Sequence, residues 1–212
     1  MSRFFANNKG TRFFSPLISL FALLLMMGLT FTETQANKPD DSWLVPETIT
    51  MGSDNGCAIQ TDGSVDCWGR DFNNVLDVNP GKFVQISGGD YHICGILADG
   101  TLSCWGIDGS LLTPPARTFH QVGCGDSHNC AVASDGNVSC WGGINNYGEN
   151  TPDSGLYKQV SAGFYNSCGL HPDGTLDCWG LNSYLQSDPT AGTYTQVEAG
   201  YYFACAIATD GH

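Results

Sequence analysis

Positive charge is scarce in this chain: 8 Lys and Arg stand against 21 Asp and Glu in 212 residues. A surface so poor in cations cannot neutralise phosphates, so nucleic acid is excluded as a partner. Methionine is also rare, with 4 in the chain, and no stretch sustains helical periodicity, which excludes a helical bundle. There is no Gly-rich phosphate loop, no zinc-type His spacing and no G-x-S-x-G. No catalytic residue, metal site or cofactor is expected, and the chain is not read as an enzyme. The longest apolar run, Leu17 to Leu29, is broken by Ser19 and Gly28 and falls short of the roughly 20 residues needed to span a bilayer.

That run sits inside an address label. Arg3, Lys9 and Arg12 precede it and the small-residue site Thr34-Gln35-Ala36 follows. Residues 1–36 are read as a signal peptide cut after Ala36, with 37–47 as a linker. Cleavage removes three of the 8 basic and one of the 21 acidic residues, leaving 5 and 20, a net charge of −15. The mature chain would be secreted, periplasmic or displayed at a cell surface, with no membrane attachment. Its charge favours a basic protein partner.

What is abundant is cysteine, 10 residues, and it comes with a repeated sentence. C-A-I-Q-T-D-G-S-V-D-C-W-G runs from Cys57 to Gly69 and returns at Cys94–Gly106, Cys130–Gly142 and Cys168–Gly180. A fifth copy starts at Cys205. The first cysteines are 37, 36, 38 and 37 residues apart. Such a period marks a repeat architecture, here divided as 48–79, 80–115, 116–154, 155–191 and a partial 192–212.

One copy reads as three strands. Phe83-Val84-Gln85-Ile86 alternates outward and inward, Gly88-Gly89-Asp90 turns, and His92 to Leu97 is the second strand. Ala98-Asp99-Gly100 is then a three-residue hairpin loop with Gly in the left-handed position, leading into Thr101 to Trp105. Cys94 and Cys104 are equidistant from that turn and face each other across the hairpin. This register predicts disulfides Cys57–Cys67, Cys94–Cys104, Cys130–Cys140 and Cys168–Cys178. Nine intervening residues is not zinc-ligand spacing. Cys124 and Cys205 remain as reduced thiols, Cys124 at a small, buried position. A Cys124, His128, Cys130 metal cluster is the weaker alternative.

The tryptophans Trp68, Trp105, Trp141 and Trp179 are expected to fill the space between units. Two residues before each first cysteine stand Asn55, His92, His128, Asn166 and Phe203; the histidines are expected to hydrogen-bond a neighbouring turn. Asp62 with Asp66, and Asp173 with Asp177, mimic catalytic carboxylate pairs but bracket hairpin turns, so turn chemistry is expected of them.

The segment V-S-A-G-x-x-x-x-C-G-L-x-x-D-G-x-L-x-C-W-G-x-N, Val160 to Asn182, resembles the regulator of chromosome condensation repeat in its short, cysteine-bearing secreted form. The resemblance covers roughly residues 46–212. It implies an all-β fold: a β-propeller, with about four and a half blades of the family's seven. Asp41-Ser42-Trp43 could attempt closure, but an incomplete propeller is the preferred reading. The resemblance implies binding through the variable loops after each C-W-G, which are Arg70–Asn74, Ile107–Ser110, Gly143–Tyr147 and Leu181–Tyr184. Phe72, Asn73, Asn145, Tyr147, Asn182 and Tyr184 are the candidate binding residues. The family's namesake implies an alternative, guanine-nucleotide exchange on a small GTPase.

Overall fold

The computed structural model describes residues 48–107, 109–143 and 145–211. The expected signal peptide, linker and Trp43 lie outside the described residues. So do Asp108 and Ile144 in two of the variable loops.

Five antiparallel sheets follow one another along the chain. Blade 1 holds β1 (Ile49–Met51), β2 (Asn55–Ile59) and β3 (Val65–Gly69). Blade 2 holds β4 (Phe83–Gly88), β5 (His92–Leu97) and β6 (Leu102–Gly106). Blade 3 holds β7 (Phe119–Cys124), β8 (Asn129–Ala133) and β9 (Val138–Trp141). Blade 4 holds β10 (Gln159–Ala162), β11 (Asn166–Leu170) and β12 (Leu176–Gly180), and blade 5 holds β13 (Tyr194–Ala199) and β14 (Ala204–Ala208). Each sheet is a meander in sequence order. The first strands β1, β4, β7, β10 and β13 each pack on the next, so they form the inner layer of an all-β propeller-type array.

The hairpins follow from local chemistry. Leu97 N–H bonds Thr101 O at 2.9 Å and Gly100 N–H bonds Leu97 O at 2.8 Å, with Gly100 at φ 84°. The aspartate of each turn accepts from the residue two positions on: Asp62 from Ser64, Asp99 from Thr101, Asp135 from Asn137 and Asp173 from Thr175. These are Asx-turns, which explains Asp62 and Asp173 without catalysis. Asp66 accepts from Gln60, and Asp177 from Tyr157 and His171. The register places Cys57 opposite Cys67, Cys94 opposite Cys104, Cys130 opposite Cys140 and Cys168 opposite Cys178. All four pairs are disulfides. Cys124 is buried and Cys205 exposed, both outside these bridges.

The inner strands depart from simple alternation. Phe83, Gln85, Ile86 and Ser87 are all buried, and a bulge at Val84 shifts the register between Phe83 and Gln85. The same shift occurs in β7 and β13. The bulge rotates the strand, and its neighbours on both sides then cover residues that strict alternation would expose.

Interblade joints repeat as faithfully as the hairpins. Trp105, Trp141 and Trp179 are buried, and their indole N–H groups donate to the carbonyls of Val75, Leu111 and Glu149 in the preceding loop. Trp68 is half exposed, unlike the other three. The glutamines of the inner strands clamp the next inner strand. Gln85 binds both backbone groups of Val122, Gln121 those of Val160, and Gln159 those of Val197. Hydroxyls add a second row: Thr50 accepts from Gly88 N–H, Ser87 from Cys124 N–H and Ser161 from Ala199 N–H.

Candidate functional site

The loops after C-W-G and the turns between the first two strands of each blade emerge on one face. Backbone bonds tie them: Arg70 N–H to Asp54 O, Ile107 N–H to Tyr91 O, and Leu181 N–H to Tyr165 O. Three of the four loops then reach the turn of the next blade, where aromatic rings meet. Phe72 lies 5.4 Å from Tyr91, Tyr147 5.2 Å from Tyr165, and Tyr184 5.5 Å from Tyr202, between ring centroids.

On blades 4 and 5 these pairs merge. Tyr165 packs on Phe164 at 4.0 Å, Phe164 stacks on Tyr201 at 3.8 Å, and Tyr201 meets Tyr202 at 4.4 Å. Six rings, Tyr147, Tyr165, Phe164, Tyr201, Tyr202 and Tyr184, thus form one continuous strip. Tyr184 is 70% exposed.

The expected binding residues divide by role. Phe72, Tyr147 and Tyr184 stand exposed on this face. Asn145 and Asn182 are also exposed and brace their own loops, accepting from the backbone N–H of Asn150 at 2.8 Å and Ser187 at 3.0 Å. Each brackets a turn, a role that Asp71 takes with Leu76 N–H in the first loop. Asn73 is exposed in the left-handed region at φ 59°, as Asn74 is. The sequence places Asp90 in a turn and assigns no role to Asp126, Phe164, Tyr165, Tyr201 or Tyr202. Their signal was variation in type directly after a fixed glycine, at Gly89, Gly125, Gly163 and Gly200.

Those glycines line the inner end of the face, around a depression of about 250 Å³ that also meets Asp90, Asp126, Phe164 and Tyr201. A Cβ on Gly89 would stand 2.0 Å from Gly125 O, and one on Gly125 2.0 Å from Gly163 O. The chains approach so closely there that side chains are excluded. Asp126 is pushed up to about 6 by burial, with its hydrogen bond to Asp90 and that residue's charge adding to the effect.

Behind the glycines lie His92 and His128, both fully buried. Their partners are strand residues of the next blade rather than turns: Asn129 Oδ1 at 2.6 Å from His92 Nε2, and Ser167 Oγ at 2.7 Å from His128 Nε2. Burial lowers both imidazoles, His128 to about 4, which keeps them neutral. His92, Cys94 and Cys124 bring potential ligand atoms within 4.8 Å of one another. The Cys94 sulfur is bonded to Cys104, so the trio lacks the thiolate set a metal would need. Cys130, in the alternative cluster, is likewise bonded to Cys140.

This is the geometry of a protein built from propeller blades of the regulator of chromosome condensation type. Residues 83–110, 119–149 and 157–186 match the Regulator of chromosome condensation (RCC1) repeat, so the chain carries RCC1 repeats. No curated protein sequence matches it. Among solved structures it is similar to the entire ectodomain of the Physcomitrella patens receptor kinase CR4, with 24% identity and a TM-score of 0.66, covering 78% of this chain and 51% of that one. The CRINKLY WD40 ectodomain of the Arabidopsis thaliana receptor kinase ACR4 gives 24% identity, a TM-score of 0.63, and 76% and 58% coverage. Prp20p from Saccharomyces cerevisiae gives 16%, 0.60, 74% and 54%. The chain spans between about half and three fifths of the length of these structures.

Proposed function

We propose that this chain is a non-catalytic protein-interaction module acting in an oxidising, extracytoplasmic compartment, and that it binds through the loop-and-turn face. The aromatic strip from Tyr147 to Tyr184 carries the reading. Exposed rings held by hydrogen-bonded turns supply large contact area at little entropic cost, as binding hot spots require. Four disulfides favour a compartment where thiols oxidise. The ectodomain likenesses are consistent with that address, and the acidic surface favours a basic partner.

The test is capture from the matching extracytoplasmic fraction by the oxidised protein. Tyr147→Ala with Tyr184→Ala is expected to lose the partner while keeping the thermal midpoint. Retention of the partner by that variant sinks the assignment of the face. The likeness to Prp20p supports a second reading, nucleotide exchange on a small GTPase. It predicts accelerated release of labelled GDP by the reduced protein, and the disulfides weigh against it.

A further inference from the structure

Blade 5 repeats the joint between blades 3 and 4 with one piece left out. Among the described residues it holds two strands where the other blades hold three, so one edge of β14 is unpaired. The register of those two strands is that of blade 4. Val197 faces Ala206 and Glu198 faces Cys205, as Val160 faces Gly169 and Ser161 faces Cys168. Positions in blade 5 therefore have counterparts whose surroundings are complete.

In blade 4 the third strand, β12, brings two groups to the joint. Cys178 lies opposite Cys168 and is bonded to it. Trp179 lies opposite Ser167, is buried, and packs with Tyr157 and Val160 against Val138 and Cys140 of the blade before. Its ring is 6.0 Å from that of Tyr157, and its indole N–H donates to Glu149 O at 2.8 Å.

In blade 5 the same wall surrounds a hollow. Tyr194, Val197, Leu176 and Cys178 take the places of Tyr157, Val160, Val138 and Cys140, and they line a space of about 240 Å³ that also meets Gln186 and Cys205. An acceptor for an indole is in position too. Val75, Leu111 and Glu149, the carbonyls used by the three buried tryptophans, stand 19 residues before Cys94, Cys130 and Cys168, and Gln186 stands 19 before Cys205. Gln186 is 4% exposed; no described residue donates to its carbonyl, and its Nε2 has no partner. The Cys205 thiol is exposed at the register position of Cys168.

An open edge by itself accepts any extended chain. The hollow narrows the choice, because it suits a large flat apolar side chain that carries one N–H donor, which is tryptophan. The register then puts a cysteine directly before it.

We propose that the open edge of blade 5 is a docking surface for an extended Cys-Trp-Gly segment of another polypeptide. The segment adds to β14 as an antiparallel third strand. Its tryptophan fills the hollow and donates to Gln186 O, and its cysteine faces Cys205. This surface does not depend on the reading of the loop-and-turn face. A segment whose cysteine arrives as a mixed disulfide is bonded by exchange. The Cys205 thiolate attacks the segment's sulfur, the old S–S bond breaks, the departing thiolate keeps its electron pair, and the Cys205 proton goes to water. One disulfide replaces another, so no oxidant is consumed.

The experiment uses the full chain with its four disulfides intact and a synthetic peptide with the sequence of Thr175 to Leu181. The peptide's cysteine is capped as a mixed disulfide with thionitrobenzoate, whose yellow anion reports exchange. Mass mapping is expected to find the peptide on Cys205, and Cys205→Ser is expected to abolish uptake. A peptide with alanine in place of tryptophan is expected to exchange more slowly by about tenfold or more, as loss of a buried aromatic anchor requires. A peptide with serine in place of cysteine is expected to shift the backbone amides of Ala204 and Ala206 without bonding. The decisive variation lies in the peptide, so the folding of the chain is not at stake. Equal exchange rates for the tryptophan and alanine peptides would reveal an exposed thiol and nothing more, and would overturn the proposal. So would the absence of exchange at Cys205, or a serine peptide that leaves the β14 amides in place.

Discussion

Gln121 holds Val160 by both ends of its peptide. The glutamine Oε1 accepts from Val160 N–H at 2.8 Å, and its Nε2 donates to Val160 O at 2.8 Å. The side chain is buried, and the two residues are 39 apart in sequence. This clamp joins the inner strands of blades 3 and 4. Gln121→Ala would leave a buried N–H and a buried C=O unpaired, at a cost of about 2–3 kcal/mol. Urea unfolding of the two proteins measures it. A change within a few tenths of a kcal/mol would mean that water replaces the amide.

Blade 1 lacks this device. The register places Thr48 where blade 2 carries Gln85, because Ile49 faces Ala58 as Ile86 faces Gly95. Thr48→Gln is expected to clamp the backbone of Ile86 and raise stability by about 1 kcal/mol. The midpoint of urea unfolding should rise with the slope unchanged.

Gly125 has no space for a side chain, since a Cβ would stand 2.0 Å from Gly163 O. Gly125→Ala must push apart the turns that follow two inner strands, and it is expected to cost more than about 2 kcal/mol. Gly148, at φ 83°, has no atom near a built Cβ. Gly148→Ala therefore pays for backbone conformation alone, about 1 kcal/mol. Paired thermal melts distinguish crowding from conformation.

Cys130–Cys140 closes a loop of 10 residues in sequence separation. Replacing both cysteines by alanine is expected to cost about 3 kcal/mol in the loop-entropy account. The bridge joins two strands already paired in register, so the fold should persist. Circular dichroism with thermal melting checks both halves of that statement.

His128 makes stability fall with acid. Burial lowers its imidazole from 6.5 to about 4, so below pH 6.5 the unfolded chain takes up a proton that the folded chain refuses. Stability from this group is therefore full above about pH 6.5 and is lost progressively down to about pH 4. Asp126, raised to about 6, acts with the opposite sign, because the folded state holds its proton more tightly than the unfolded one. Blade 4 carries Asn166 at the place of His128. The difference in unfolding free energy between wild type and His128→Asn, followed from pH 7.5 to pH 4 in order to isolate the imidazole, should narrow as pH falls. A constant difference would show that His128 does not titrate on unfolding.

Much of the architecture was written locally, and the reason is distance along the chain. The hairpin loops, their Asx-turns and the four disulfides depend on residues within ten positions of one another, as Cys94 and Cys104 are. Turn chemistry alone sets their register. The repeat period then fixed a blade-wise all-β fold, because each unit needs a neighbour to cover its Trp and its inner strand. The tertiary structure decided what lies between blades. The bulge at Val84 puts Phe83 in one cluster with Ile86 and leaves Gln85 facing the next blade, where it clamps a residue 37 positions away. The histidines found their partners in the next strand, at 37 and 39 positions. Asn145 and Asn182 stay exposed, and each also accepts from a backbone donor five residues on. The aromatic strip and the Asp90–Asp126 pair exist because inner-strand packing carries Phe164 onto Tyr201 and Asp90 beside Asp126. No local pattern encodes such pairs: their separation is set by the stacking of one blade on the next.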